Sequence, residues 1–305
     1  MHTGTVDCAA VPINVGRTKI MVIDTPGFDD SMRTDSQILE EISRILTAQH
    51  EAGVPLKGVI YLHRITDVRY ARASVKTLEI FKKICGSLAL KNVMLVSTRW
   101  NEVDEALGVA REQQLKDDFW AYMLGHGSTM ARFQGSRESA IAIASQLVSR
   151  QSIVLELQRE LIDERKTLKQ TVAGTFVSED LADLKKQSQK DLEEIDVLRQ
   201  TLRENDRALK RKCQQDWERE QARLVTARQD EDRLRKEIAA EVHAEIEGKK
   251  GKKGKGLFAA LPFIPAVVGI LGMFVGIPPG TTGLLSDWFS ESGLMESVSE
   301  FFANF

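Results

Sequence analysis

The sequence predicts an α/β domain built on a parallel sheet with flanking helices, followed by a long helical region and a hydrophobic C-terminal segment. Three observations carry this expectation. Residues 1–150 alternate short, unbroken apolar runs with helical patterns, the way strands covered on both faces of a parallel sheet read. Residues 151–247 are dominated by Glu, Lys, Arg, Gln and Asp, with apolar residues recurring at three, four and seven, the signature of a coiled coil or an antiparallel helical hairpin. Leu257 to Ile277 contains no charged residue.

In chain order, Ala9 to Val15 reads as a strand that turns at Gly16-Arg17 into the apolar run Ile20–Ile23. A helix is expected from Asp35 to His50, a strand at Gly58–Leu62, a helix from Ser74 to Cys85, a strand at Val93–Val96 and a helix from Gly108 to Met123. Ile141, Leu147, Leu155, Leu161 and Leu168 fit one face of a single long helix, interrupted at Gly174. Ser178 followed by Glu179 and Asp180 then suits a new helix start with an acidic first turn. Beyond it, solvated helices packing on one another and a true oligomeric coiled coil fit the pattern equally. A basic Gly/Lys linker follows at 248–256. Residues 257–277 have the length of a membrane segment: at about 1.5 Å per residue they would span roughly 31 Å as a helix. The lysines on its N-terminal side suit a cytoplasmic flank. A buried hairpin packed against the helical region is the alternative. Residues 278–305 form an acidic, amphipathic tail.

The 305 residues allow one compact domain plus appendages, and a formal net charge of -2 gives no basic field for nucleic acid. Cys8, Cys85 and Cys213 are scattered, without metal-ligand spacing, as in a reducing, cytoplasmic setting. The five histidines form no cluster.

The chemistry concentrates in two stretches. Ile20 to Ile23 ends in Asp24-Thr25-Pro26-Gly27, followed by Phe28-Asp29-Asp30. A carboxylate at a strand's exit can hold a Mg²⁺-bound water, and a glycine three residues on leaves its N–H free to approach a terminal phosphate. A strand ending in an ordinary Pro-Gly turn has the same residues. Thr5 lies upstream where a switch-loop hydroxyl would reach the metal. The second stretch, Thr98-Arg99-Trp100-Asn101, follows the Val93 strand where guanine-binding proteins carry their base-reading loop. Arg99 and Trp100 suit covering a base. Asn101 stands where a carboxylate is expected, and an Asn presents an NH₂ to a base donor. A plain helix start accounts for the same residues. Met130-Ala131-Arg132-Phe133 occupies the place of a further base-contacting loop. Phe28 stands where a water-orienting side chain would be needed, so no catalytic residue is assigned. Nowhere does the sequence contain Gly-x-x-x-x-Gly-Lys-Ser/Thr.

Several blocks together carry a resemblance: His2-x-x-Thr5, Val22–Asp30, Gly58-Val59-Ile60-Tyr61-Leu62-His63-Arg64-Ile65, Phe81–Gly86, Lys91-Asn92-Val93, Ala131-Arg132-Phe133 and Thr171-x-Ala173-Gly174. Residues 1–175 resemble the fungal G-domain proteins related to immune-associated and septin-like P-loop GTPases. The resemblance implies a P-loop NTPase-type sheet that binds GTP and Mg²⁺. Thr5 and Asp24 would lie near the metal, Thr25, Pro26 and Gly27 near the phosphates, and Thr98, Arg99, Trp100 and Asn101 near the base. Family members carry the phosphate loop upstream of the Thr5 equivalent and tend to have Trp-Asp where this chain has Trp100-Asn101.

That fold places its first strand between the Ile20 and Gly58 strands. Without it two strands would have unpaired edges in the core, which native proteins avoid. Direct pairing of the two strands, a strand from another chain, or a longer protein of which this sequence is a part would each resolve the conflict, and the last is the preferred expectation. The leading functional expectation is therefore a GTP-binding-type domain, incomplete or degenerate for hydrolysis. A helical stalk would join it to a membrane-associated C-terminus anchored through 257–277. The alternative is a non-enzymatic, membrane-anchored interaction protein. Expected partners are a second copy, through the stalk or the G domain, and an anionic membrane surface at Lys249, Lys250, Lys252, Lys253 and Lys255.

Overall fold

The structure, a computed structural model, describes residues 8–28, 33–67, 72–201, 207–249 and 268–274. A two-residue turn at Gly16-Arg17 joins β1 (Ala9–Val15) and β2 (Thr18–Thr25) as an antiparallel hairpin, with Val15 opposite Thr18. Gly16 takes φ +61°, the left-handed conformation such turns need. The chain continues through α1 (Asp35–Glu51), β3 (Leu56–Arg64), α2 (Arg72–Cys85), β4 (Val93–Thr98), α3 (Glu105–Gln114), α4 (Ala121–Gly125), β5 (Thr129–Arg132) and α5 (Arg137–Val148). A single turn, α6 (Glu156–Gln158), leads to three further helices: α7 (Val172–Thr201), α8 (Arg207–Leu234) and α9 (Ile238–Lys249). The last described element is strand β6 (Val268–Phe274).

The sheet order is β1-β2-β6-β3-β4-β5, parallel from β2 to β5. Alternating side chains sort to its two faces, as the two-residue strand period requires. Ile20, Val22, Ile60, Met94 and Val96 face α5, where Ile143, Ala144 and Leu147 are buried. Met21, Ile23, Val59, Tyr61, Val93 and Leu95 face the larger cluster, built with α1, α2, Trp120 and the segment 155–177.

β6 answers the strand conflict in a way the sequence reading did not anticipate. Residues 268–274, expected within a helical membrane segment, form a strand between β2 and β3. Leu271 is in register with Ile23 on one side and Val59 on the other. The segment, Val-Gly-Ile-Leu-Gly-Met-Phe, contains no polar or charged residue, a sequence that suits a strand covered on both sides as well as it suits lipid. The rest of 257–277, the linker from Lys250 onward and the 278–305 tail lie outside the described residues. Among the described residues no helix is long and apolar enough to cross a membrane.

The single long helix expected across Ile141–Leu168 is corrected. α5 stops at Val148, and the chain then runs back along the sheet, with Ile153 N–H bonded to Leu56 O at 2.8 Å. Leu155, Leu157, Leu161 and Leu168 are buried in the main core, and Gln158 Nε2 donates to Leu46 O at 2.9 Å. Arg165 adopts φ +52°, which no continuous helix permits. The helix start expected at Ser178 is corrected as well. α7 begins at Val172, with Thr171 Oγ1 accepting from Gly174 N–H at 3.0 Å. The helix expected from Gly108 to Met123 is broken into α3, a wider turn at Leu115–Phe119 and α4.

α7 and α8 form an antiparallel hairpin. Lys185 pairs with Glu231 at 2.7 Å, while Arg199 lies over the Trp217 ring at 5.5 Å. Ser188, Leu192, Cys213 and Ala227 are buried between them, while Val197, Leu198 and Val225 are exposed.

Candidate functional site

The site follows from the topology. The chain leaves β2 on one side of β6 and resumes at β3 on the other. In open parallel sheets, ligands bind outside the carboxyl ends of the strands. Four connections meet at that edge: Pro26–Phe28 after β2, Ile65–Asp67 after β3, Arg99–Asn101 after β4 and Phe133–Gly135 after β5. The two sequence-predicted stretches therefore lie on one edge, flanking β6 and β3.

Asp24 and Thr25, the last residues of β2, are buried, and Phe28 turns back into the core. Asp24 is opposite Ala9 on β1 and Gly272 on β6. Thr5 lies outside the described residues. No group of three or more potential ligands that could hold a metal is present among the described residues. A Mg²⁺ bound chiefly by phosphates and waters needs only one or two carboxylates, and Asp24 at a strand exit fits that role.

At the end of β3, His63 and Arg64 are buried. Arg64 pairs with Asp67 at 2.9 Å, Arg111 donates to Ile65 O at 2.9 Å, and Thr98 Oγ1 donates to His63 O at 3.4 Å. The His63 ring meets Trp120 edge-on at 6.1 Å. Burial, and then the neighbouring Arg64 charge, lowers the His63 pKa from 6.5 to about 4. Because the folded value lies below the unfolded one, the unfolded chain takes up the proton first. Stability from this group is intact above about pH 6.5 and is lost as the pH falls toward 4, by up to about 3 kcal/mol. Urea midpoints measured from pH 7 to 4 should show a component of acid loss that His63→Gln abolishes.

The β4 exit is built around Trp100. Arg99 takes φ +62° and pairs with Glu102. Trp100 Nε1 donates to Ser97 Oγ at 3.0 Å. Gly108 lies against the ring, where an added Cβ would come within 2.8 Å of Trp100 Cζ3. The Arg132 guanidinium sits 4.0 Å from the Trp100 ring centroid and is gripped by Glu112, with Nε 3.0 Å from both carboxylate oxygens. These bonds raise the Arg132 pKa, and it remains charged throughout. Asn101 is exposed. Sequence reasoning placed Arg132 on a loop; it ends β5, a four-residue edge strand too short for a period to show. Glu112 was missed, because a lone glutamate in a charged helix carries no signal.

The class these features define is an open, mostly parallel α/β sheet with a buried carboxylate at the exit of β2 and a tryptophan–arginine stack at the exits of β4 and β5. No protein-family model matches the chain, and no curated protein matches it.

Proposed function

We propose that this is a guanine-nucleotide-binding-type domain of the P-loop class, related to septin-like and immune-associated GTPases. It would be incomplete or degenerate for nucleotide hydrolysis. The observation that carries the reading is the strand order. It puts the Asp24–Gly27 exit and the Trp100–Asn101 exit on the same carboxyl-end edge of the sheet, on opposite sides of β6, where ligands of open α/β sheets bind. Asp24 would hold Mg²⁺ through water, Thr25 and Pro26 would set the turn, and the Gly27 N–H would meet the phosphates, with Thr5 as a second metal ligand. Arg132, steadied by Glu112 and Trp100, would present a guanidinium face to the base. When bound, Mg²⁺ would neutralise phosphate charge. Phe28 cannot orient an attacking water, so hydrolysis would need that group from another residue or a partner.

Fluorescent GTP titrated in millimolar Mg²⁺ tests this. Saturable binding in the high-micromolar range is expected, weakened about tenfold by Asp24→Asn. No saturation up to millimolar nucleotide would overturn the reading. The second reading, a non-enzymatic interaction protein docked on membranes through the basic linker and 257–277, draws support from Asn101 and from the length of the α7–α8 hairpin. It predicts co-sedimentation with anionic vesicles that is unaffected by nucleotide.

A further inference from the structure

The connections at the edge where the strands begin carry charge of one sign. They are Gly16-Arg17 before β2, Ala52–Pro55 before β3, Gly86–Asn92 before β4, His126–Ser128 before β5 and Ser149–Ser152, which the bond from Ile153 to Leu56 holds at the start of β3. None of them contains Asp or Glu. Arg17, Lys91 and Arg150 lie in them, and Lys19 and Lys57 follow at the starts of β2 and β3. At the opposite edge, Asp24, Asp67, Glu102 and Asp104 are mixed with the arginines. Glu51 and Glu156, on helices that flank the basic edge, pair with His243 and Arg159. The basic connections are tied to one another. Asn92 Nδ2 donates to Lys57 O and to Gln151 O, both at 2.7 Å. Arg150 donates to Lys91 O at 2.5 Å and to Thr129 Oγ1 at 2.9 Å, and Lys57 Nζ donates to Arg150 O at 2.8 Å. A surface fixed in this way loses little freedom when something binds to it.

An apolar tip stands among these cations. Leu88, in the short helical turn Ser87–Asn92, is 82% exposed, the most of any large apolar side chain among the described residues, while Ala89 and Leu90 beside it are buried. Lys91, three residues on, is exposed, and so is Arg17. A leucine held at a rigid tip between cations matches the interface of an anionic bilayer, where acyl chains take the leucine and headgroups the charges. Nucleic acid would match the charge alone, because a leucine offers no ring for a base to stack on. The course of the chain points the same way. α9 runs beside α1 in the same sense, since Glu40 meets Lys236 while Arg44 meets Glu241 and Glu245. α9 therefore ends toward the basic edge, and β6 starts from it, with Gly269 opposite Leu56. The sequence between them, 250–267, contains Lys250, Lys252, Lys253 and Lys255 and no acidic residue.

We infer that the strand-start edge of the sheet is a docking face for an anionic bilayer, with Leu88 entering the acyl boundary and Arg17 and Lys91 facing the headgroups. The class of partner rests on the membrane reading given second above; the choice of edge does not. Each cation near such a surface strengthens binding about fivefold, an effect that salt screens. In this orientation the strands point away from the lipid, and the exits that carry Asp24 and Trp100 stay open to a soluble ligand.

Site-specific fluorescence on the full chain tests it. Cys8, Cys85 and Cys213 are buried, so an environment-sensitive maleimide dye labels Leu88→Cys or Ala106→Cys selectively. Ala106 is exposed in the first turn of α3, at the opposite edge. The probes are vesicles of phosphatidylserine with phosphatidylcholine, vesicles of phosphatidylcholine alone, and a single-stranded DNA oligonucleotide, all at low salt. The dye at 88 should shift to the blue and be quenched by brominated lipid on the anionic vesicles only, with no change at 106. Arg17→Glu combined with Lys91→Glu should weaken co-sedimentation about twentyfold or more, with the circular dichroism spectrum unchanged. Co-sedimentation without a shift at 88, or with equal shifts at 88 and 106, overturns the choice of edge and leaves docking through the linker and 257–277. An equal response to phosphatidylcholine alone overturns the anionic partner. A response at 88 to the oligonucleotide and not to vesicles gives the edge to nucleic acid and overturns the inference. No co-sedimentation at all overturns both this inference and the membrane reading.

Discussion

Leu271→Pro is expected to remove at least about 3 kcal/mol of stability, enough to leave the chain largely unfolded if its stability is of ordinary size. β6 is paired on both sides, to β2 and to β3. A proline there deletes an N–H from a central parallel ladder and cannot be accommodated as it is at an edge. The cost would extend beyond one bond, because β2 and β3 are joined through β6. Separating them opens the main core, to which Ile23 and Val59 belong. Urea denaturation followed by circular dichroism is the check. An unchanged midpoint would show that 268–274 contributes nothing to the sheet.

Gly174→Ala is the second large effect, and its sign is opposite to what helix propensity suggests. Within α7, alanine should gain up to about 1 kcal/mol over glycine. At Gly174, however, an added Cβ would sit 1.8 Å from the Leu168 carbonyl oxygen and 2.7 Å from its carbon. Both are backbone atoms that cannot rotate away. The turn from Leu168 to Thr171 is pinned by Thr171 Oγ1 donating to Leu168 O at 2.8 Å, and by Leu168 N–H bonding to Lys236 O at 3.0 Å. The substitution should therefore cost about 3 kcal/mol, the upper range for overpacking, and loosen the junction between the domain and its arm. A neutral or stabilising result in thermal melts would mean that the close approach is absent.

Much of the sheet was legible because the strands are short apolar runs with clear boundaries. The Gly16-Arg17 hairpin, the Ile20, Gly58 and Val93 strands and the helix from Asp35 follow from pattern alone. What escaped had physical reasons. The Leu155–Leu168 segment has helix-like spacing by coincidence, and its buried path back along the sheet is set by tertiary contacts such as Gln158 to Leu46. Residues 268–274 suit lipid and a doubly covered strand equally well, so hydrophobicity could not choose between them. At the candidate site, the strand exit that carries Asp24 and Gly27 was readable because an apolar run ends there in a Pro-Gly turn signal. The Arg132–Glu112–Trp100 arrangement joins three elements distant in sequence, and neither charge falls in a pattern that spacing could reveal. The left-handed backbone of Arg99 and its pairing with Glu102 are likewise invisible in the sequence.

The account depends on the two strand exits serving one ligand. Hydrogen exchange mapped in Mg²⁺ with and without millimolar GTP tests that most directly. Simultaneous slowing at residues 24–28 and 98–101, absent with ATP and reduced in Asp24→Asn, is the predicted result. Slowing at one exit without the other, or an identical response to ATP, would contradict it.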